Sequence, residues 1–280
     1  ECMALAIQAL QPSQVGVVYP CFSEYTELSG KYGARVKEIY GSAPDYKPAL
    51  EALETLIKDT DLVFIGSPNN PTGVTYEREE LHALARASEA AGTWLVVDEA
   101  FLDFVDPQEQ HSLLTELDTY PHVIIIRSMT KMFAIPGLRL GYAVAQPEVI
   151  NRMKRKQITW SVNQLALLAG EVCLKEDAYV ERTRQLISQE RHALQTTLVH
   201  EFGWEVTIGA ANFLLIRLPE YMTAEWMQDH LGQCGIMIRN CAMYPGLTAQ
   251  HFRIAVRGRQ ENERLLAAFR QQLAEGRKSK

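Results

Sequence analysis

The stretch that decides the fold runs from Leu62 to Asp98 and reads LVFIGSPNNPTGVTYEREELHALARASEAAGTWLVVD. Leu62–Ile65 and Trp94–Val97 are apolar without polar alternation, the pattern of strands covered on both faces. Between them, Glu77–Ala91 spaces Leu81, Leu84 and Ala85 at helical intervals and closes at Gly92. Strand, helix and strand in that order predict two parallel strands joined by a covering helix.

The same texture extends outward. Upstream, Val15–Tyr19 is a strand ended by Pro20, Phe22–Tyr32 a helix, Arg35–Tyr40 a strand and Ala49–Lys58 a helix. Downstream, Val123–Ile126 and Leu140–Val144 are further strands. The expected class is α/β, a three-layer and mostly parallel sheet. After about residue 160 the alternation lapses. Long helices at Asn163–Leu174 and Ala178–Phe202 precede strands at Glu205–Ile208, Phe213–Leu218, Ile236–Arg239 and His251–Val256, with helices at Ala224–Cys234 and Gln260–Leu273. This predicts a smaller α+β C-terminal domain, dividing the chain into residues 1–160 and 161–280. Glu1–Leu10 reads as a helix already under way without an N-cap, so further sequence is expected before it. Glu275–Lys280 reads as a frayed polar tail.

Composition removes several classes of function. The 280 residues carry 28 basic and 34 acidic side chains, a net charge of −6, which argues against a nucleic-acid partner. The apolar runs are too short to span a bilayer, so no membrane partner is expected. The five cysteines are scattered, with no CxxC pair, and the histidines form no HExxH. Neither a disulfide framework nor a metal site is expected, and a reducing cytoplasmic location fits.

In parallel sheets, ligands gather at the carboxyl ends of the strands. Asn69-Asn70, Asp98, and Ser128 with Lys131 all fall at such ends. Ser128-Met129-Thr130-Lys131 is followed by Arg139, and upstream stand Asn69-Asn70-Pro71-Thr72-Gly73 and Asp98-Glu99-Ala100-Phe101. A strand-end Lys can be a usable nucleophile and base where its surroundings lower its pKa. Asp98, following an apolar run, should be buried and in need of a partner. NPTG by itself would be a plain turn. Together, in this order and at these separations, the segments resemble the fold-type-I pyridoxal phosphate enzymes, the large class I/II aminotransferase family, over essentially the whole chain.

The resemblance implies pyridoxal 5'-phosphate as cofactor and assigns expected roles. Lys131 would be the catalytic residue and form a Schiff base with the cofactor aldehyde. Asp98 would pair with the pyridinium nitrogen, and Asn70 would donate to the phenolic oxygen and lie near the substrate carboxylate. Ser128 and Arg139 would hold the phosphate. Phe22 would stack on the ring, with a core aromatic as the plainer reading. Glu99 beside Asp98 is expected to be structural. The family's phosphate-binding helix N-terminus would fall just before the residue matching Glu1. Its active sites lie at a homodimer interface, so a homodimer is expected.

Two arginines narrow the reaction. Arg253, inside His251–Val256, and Arg239, ending Ile236–Arg239, should be buried and need anions. By resemblance Arg253 grips the substrate carboxylate, and a pair of arginines suits a substrate with both a carboxylate and a phosphate. Two branches of the family act on phosphorylated amino compounds, the histidinol-phosphate aminotransferases and the threonine-phosphate decarboxylases. Phe101, where many aminotransferases have Tyr, Trp160-Ser161-Val162-Asn163 and Ile238–Leu247 resemble the decarboxylase branch. The expected substrate is a small phosphorylated amino acid, with transamination as the alternative.

Overall fold

In the computed structural model, which describes residues 1–278, twenty regular elements follow in chain order. They are α1 (Cys2–Leu10), β1 (Gln14–Tyr19), α2 (Glu24–Lys31), β2 (Arg35–Tyr40), α3 (Leu50–Lys58), β3 (Leu62–Gly66), α4 (Arg78–Ala91) and β4 (Trp94–Asp98). Next come β5 (Val123–Ser128), α5 (Met129–Met132), β6 (Gly141–Val144), α6 (Pro147–Lys154), α7 (Gln164–Cys173) and α8 (Asp177–His200). Last are β7 (Glu205–Val206), β8 (Phe213–Arg217), α9 (Ala224–Gln233), β9 (Arg239–Asn240), β10 (His251–Ala255) and α10 (Arg259–Lys278).

Six strands form the large sheet in the order β2-β1-β3-β4-β5-β6. All neighbours are parallel except β5 and β6. Residues 129–140, which hold α5 and the short turn Pro136–Leu138, bring the chain back so that β6 runs antiparallel along β5. The unbroken apolar runs divide between two faces as strand geometry requires. Leu62, Phe64, Val96 and Ile124 pack with Leu5 and Ile7 of α1, Tyr25 of α2 and Met153 of α6. Val63, Ile65, Leu95, Val97 and Ile125 pack with Leu53, Leu56 and Ile57 of α3 and Leu81 and Leu84 of α4. Each fully buried Leu or Ile contributes roughly 1.5–3 kcal/mol by leaving water. The result is the expected three-layer architecture.

Helix α4 shows how locally the sequence encodes its ends. Glu77 and Glu80 form a reciprocal capping box, and Gly92 ends the helix at φ 70°, a left-handed conformation that glycine adopts freely. The apolar face between them, Leu81, Leu84 and Ala85, is buried.

The second sheet is antiparallel, in the order β7-β8-β10-β9. Its core joins Leu194 and Leu198 of α8, Trp204, Ile216, Phe252 and Phe269 of α10. Two strands are shorter than the sequence suggests. β7 covers only Glu205–Val206, and β9 starts at Arg239 rather than ending there. Ile236–Ile238 lack a partner because β10 meets β9 only at Arg239 and Asn240, which leaves Met237 96 % exposed. The large sheet uses residues 14–144 and the small one residues 205–255; a division at 160/161 we keep as a proposal. The tail reading needs correction: α10 continues to Lys278, while residues 279–280 lie outside the described ones. Among the described residues no helix is long and apolar enough to cross a membrane.

The contacts that tie the sheets together include the two that follow. Ala210 N–H donates to the Gly73 carbonyl at 2.8 Å. The Tyr46 hydroxyl meets His251 Nε2 at 2.9 Å. Because His251 Nδ1 accepts from the Thr248 N–H at 3.0 Å, the Nε2 proton is the one facing Tyr46.

Candidate active site

The sheet order reverses between β1 and β3, and the connections leaving these strands turn to opposite faces. Helix α2 packs on the side of Val15 and Phe64, and α4 on the side of Ile65. A crevice is left between the diverging loops, where ligands bind in doubly wound sheets. Here it is a cleft of about 490 Å³, lined among others by Phe22, Tyr25, Asn70, Asp98, Ser128 and Lys131. Arg139 and Arg253 line it as well.

Asp98 ends β4 and is 8 % exposed. The expectation of a buried carboxylate holds, but it is not alone. Oδ2 accepts from the Tyr25 hydroxyl at 2.9 Å, and Oδ1 from the Ala100 N–H at 3.1 Å. Burial pushes its pKa up, while these two bonds and the charge of Lys131 pull it back. Among the described residues no cation is hydrogen-bonded to it, so its charge is left for a ligand.

Lys131 lies in α5, one helical turn beyond Ser128. The i,i+3 spacing sets both on one side, and Lys131 Nζ donates to Ser128 Oγ at 3.2 Å. Its ammonium lies 5.6 Å from the centre of the Phe101 ring. Burial lowers the Lys131 pKa from the usual lysine range; Asp98 opposes this and Arg139 adds to it. That is the direction a nucleophilic amine needs. Ser128 Oγ also meets Thr130 Oγ1 at 2.9 Å. Arg139 is exposed, follows the short turn Pro136–Leu138, and donates to the Pro136 carbonyl at 3.1 Å.

The two asparagines of the NPTG turn divide the work. Asn69 holds the turn: its amide donates to the Pro20 carbonyl at 2.9 Å and to Thr72 Oγ1 at 3.0 Å. Asn70 faces the cleft, and its Oδ1 accepts from Arg253 Nη1. The Arg253 guanidinium also stacks 4.6 Å from the centre of the Phe213 ring. Arg253 is half-buried. Thus residues 183 positions apart in sequence meet across the two sheets.

Arg239 is the candidate that the structure does not bring into the cleft lining. It is exposed rather than buried, on the edge strand of the small sheet, and its Nη2 donates to Met243 Sδ at 3.5 Å. It is, however, the direct cross-strand partner of Arg253, so both project from one face of the small sheet. Phe22 is half-buried at the cleft wall, edge-on to Tyr25 at 5.9 Å.

Several residues of the site escaped sequence reasoning. Tyr25 lies one turn after Phe22, and that helical spacing was the available signal. Phe213 reads as an ordinary core residue. Arg127 lines the cleft beside Ser128; its Nε donates to Glu99 Oε2 at 2.6 Å and its Nη1 to Asp103 at 3.3 Å. Glu99 thus has the structural role its neighbourhood suggested, with its pKa raised by burial and restrained by Arg127.

The comparisons with known proteins fit this geometry. The chain is 38 % identical over 272 residues to the threonine-phosphate decarboxylase of Salmonella typhimurium, covering 96 % of this chain and 74 % of that protein. It is 34 % identical over 260 residues to the histidinol-phosphate aminotransferase of Oleidesulfovibrio alaskensis, covering 91 % and 66 %. It therefore spans about two thirds to three quarters of these relatives' length. The crystal structure of the histidinol-phosphate aminotransferase from Clostridium acetobutylicum superposes with a TM-score of 0.88 at 31 % identity, over 95 % of this chain and 80 % of that one. Residues 1–269 match the family model "Aminotransferase class I and II", and the chain belongs to that family of pyridoxal-phosphate-dependent enzymes.

Proposed function

We propose that this protein decarboxylates L-threonine O-3-phosphate to aminopropanol phosphate with pyridoxal 5'-phosphate as cofactor, a reaction of cobalamin biosynthesis. The observation that carries the choice of branch is Phe101: a ring without a hydroxyl lies beneath Lys131, where many aminotransferases have Tyr. The identity to the Salmonella typhimurium decarboxylase supports the same reading.

The residues present fit the cofactor. Asp98 is a buried carboxylate to which no cation is hydrogen-bonded among the described residues, Lys131 is an amine with a lowered pKa, and both line one cleft. Bound pyridoxal phosphate supplies an aldehyde for an amine and a ring that withdraws electrons from the bond being broken. Asp98 would hold the ring nitrogen's proton, and Phe22 would cover one face of the ring. Ser128 and Arg139 would hold the phosphate. Lys131 would hold the cofactor at its aldehyde and would supply a proton to the carbon that loses CO₂. Arg253, anchored by Asn70 and Phe213, would orient the substrate carboxylate without holding it so tightly that CO₂ loss is penalised. Arg239, on the same face of the small sheet, would take the second anionic group.

The test is CO₂ release from L-threonine O-3-phosphate with no keto-acid acceptor present, together with borohydride fixation of the cofactor to Lys131. Turnover of histidinol phosphate only with 2-oxoglutarate, without CO₂, would establish the aminotransferase reading instead.

A further inference from the structure

Tyr25 leaves α2 and crosses the end of a neighbouring strand to reach Asp98. Its side chain is 2 % exposed, and its ring stacks on Phe64 of β3 at 4.9 Å with the planes 6° apart. The hydroxyl then passes the carboxyl end of β3 to reach β4. That passage is open because residue 66 is glycine: a Cβ there would stand 3.2 Å from the Tyr25 hydroxyl oxygen and 3.1 Å from the Asn69 Cα. At the far end the hydroxyl donates to Asp98 Oδ2 at 2.9 Å.

A fully buried phenol is a costly way to fill a core, since Phe would pack there without a polar atom to satisfy. The phenol does something Phe cannot. Burial and the Asp98 charge raise its pKa well above the usual tyrosine range, so it stays a donor. A neutral donor stabilises an ionised carboxylate without cancelling its charge, as an Arg or Lys would. With Ala100 N–H on Oδ1, both oxygens are fixed in direction, and each keeps a lone pair for a further donor.

We propose that Tyr25 is the positioning residue for Asp98: its hydroxyl, threaded past Gly66, orients the carboxylate and keeps it a charged acceptor for the protonated ring nitrogen of the cofactor. This rests on the cofactor reading above and adds to it a residue that acts through Asp98.

The test compares pyridoxal phosphate with its 1-deaza analogue, which has carbon in place of the ring nitrogen. Equilibrium binding of both is measured on wild type and Tyr25→Phe, which keeps the stack on Phe64. The expected result is a loss for pyridoxal phosphate of about ten- to a hundredfold, the scale of one hydrogen bond to a charged group, with the deaza analogue affected much less. Equal loss for both ligands, or none for either, would overturn the proposal while leaving the cofactor reading intact. If wild type binds neither ligand, both fall together. Gly66→Ala gives a second route should Tyr25→Phe not fold. It crowds the hydroxyl by a few tenths of an ångström and is expected to show the same preference in weaker form; a non-selective effect there would count against the proposal.

Discussion

At the scale of single residues, Arg253 shows how much a long-range partner can decide. Its sequence neighbours mark it only as an arginine in an apolar strand. In the fold it donates to Asn70, stacks on Phe213 and lines the cleft. A guanidinium fixed on two sides has few rotamers left to lose when an anion arrives. Arg253→Leu removes a charge-assisted contact worth about 1.5–3 kcal/mol, roughly ten- to a hundredfold in affinity for a carboxylate substrate. Titration with threonine phosphate and with aminopropanol phosphate separates this from general damage. The first should weaken strongly and the second much less, and equal weakening would remove Arg253 from the carboxylate site.

At the scale of elements, the approach of the Gly209 loop to the NPTG turn places the small sheet over the cleft. A Cβ at Gly209 would lie 2.9 Å from the Gly73 Cα and carbonyl carbon and from the Thr72 carbonyl oxygen, all of them backbone atoms. Backbone cannot swing aside as a flexible side chain can, so Gly209→Ala must push the two segments apart. The expected cost is about 1–3 kcal/mol of stability, measured by denaturant unfolding. The affinity for a carboxylate substrate should fall with it, since Phe213 and Arg253 ride on the same sheet. Wild-type stability and affinity in this variant would show that the contact does not set the position of the small sheet.

At the scale of the whole molecule, α7 carries an exposed apolar face. Leu165, Leu168 and Val172 are 70 %, 55 % and 54 % exposed, and Trp160 nearby is 93 % exposed. A contiguous apolar surface of this kind marks an interface more often than free surface. We take a second copy of the chain as its cover, in keeping with the homodimer proposed from the resemblance. Sedimentation should find a dimer, and charged substitutions such as Leu165→Glu and Leu168→Glu should drive it toward monomer. A fully active wild-type monomer would overturn this.

The sequence by itself determined the large sheet, because its signal is local. Unbroken apolar runs require cover on both faces, amphipathic helices between them supply it, and the strand ends then place Asn70, Asp98, Ser128 and Lys131 at one edge. What only the tertiary structure decided depends on atoms far apart in the chain. Tyr25 reaches Asp98 past Gly66, Arg253 meets Asn70 across two sheets, and Arg239 stays outside the cleft on the edge strand of the small sheet. Periodicity reports which face of an element is covered; it carries no information about which distant side chain will meet a given carboxylate, or about how far a short edge strand will pair.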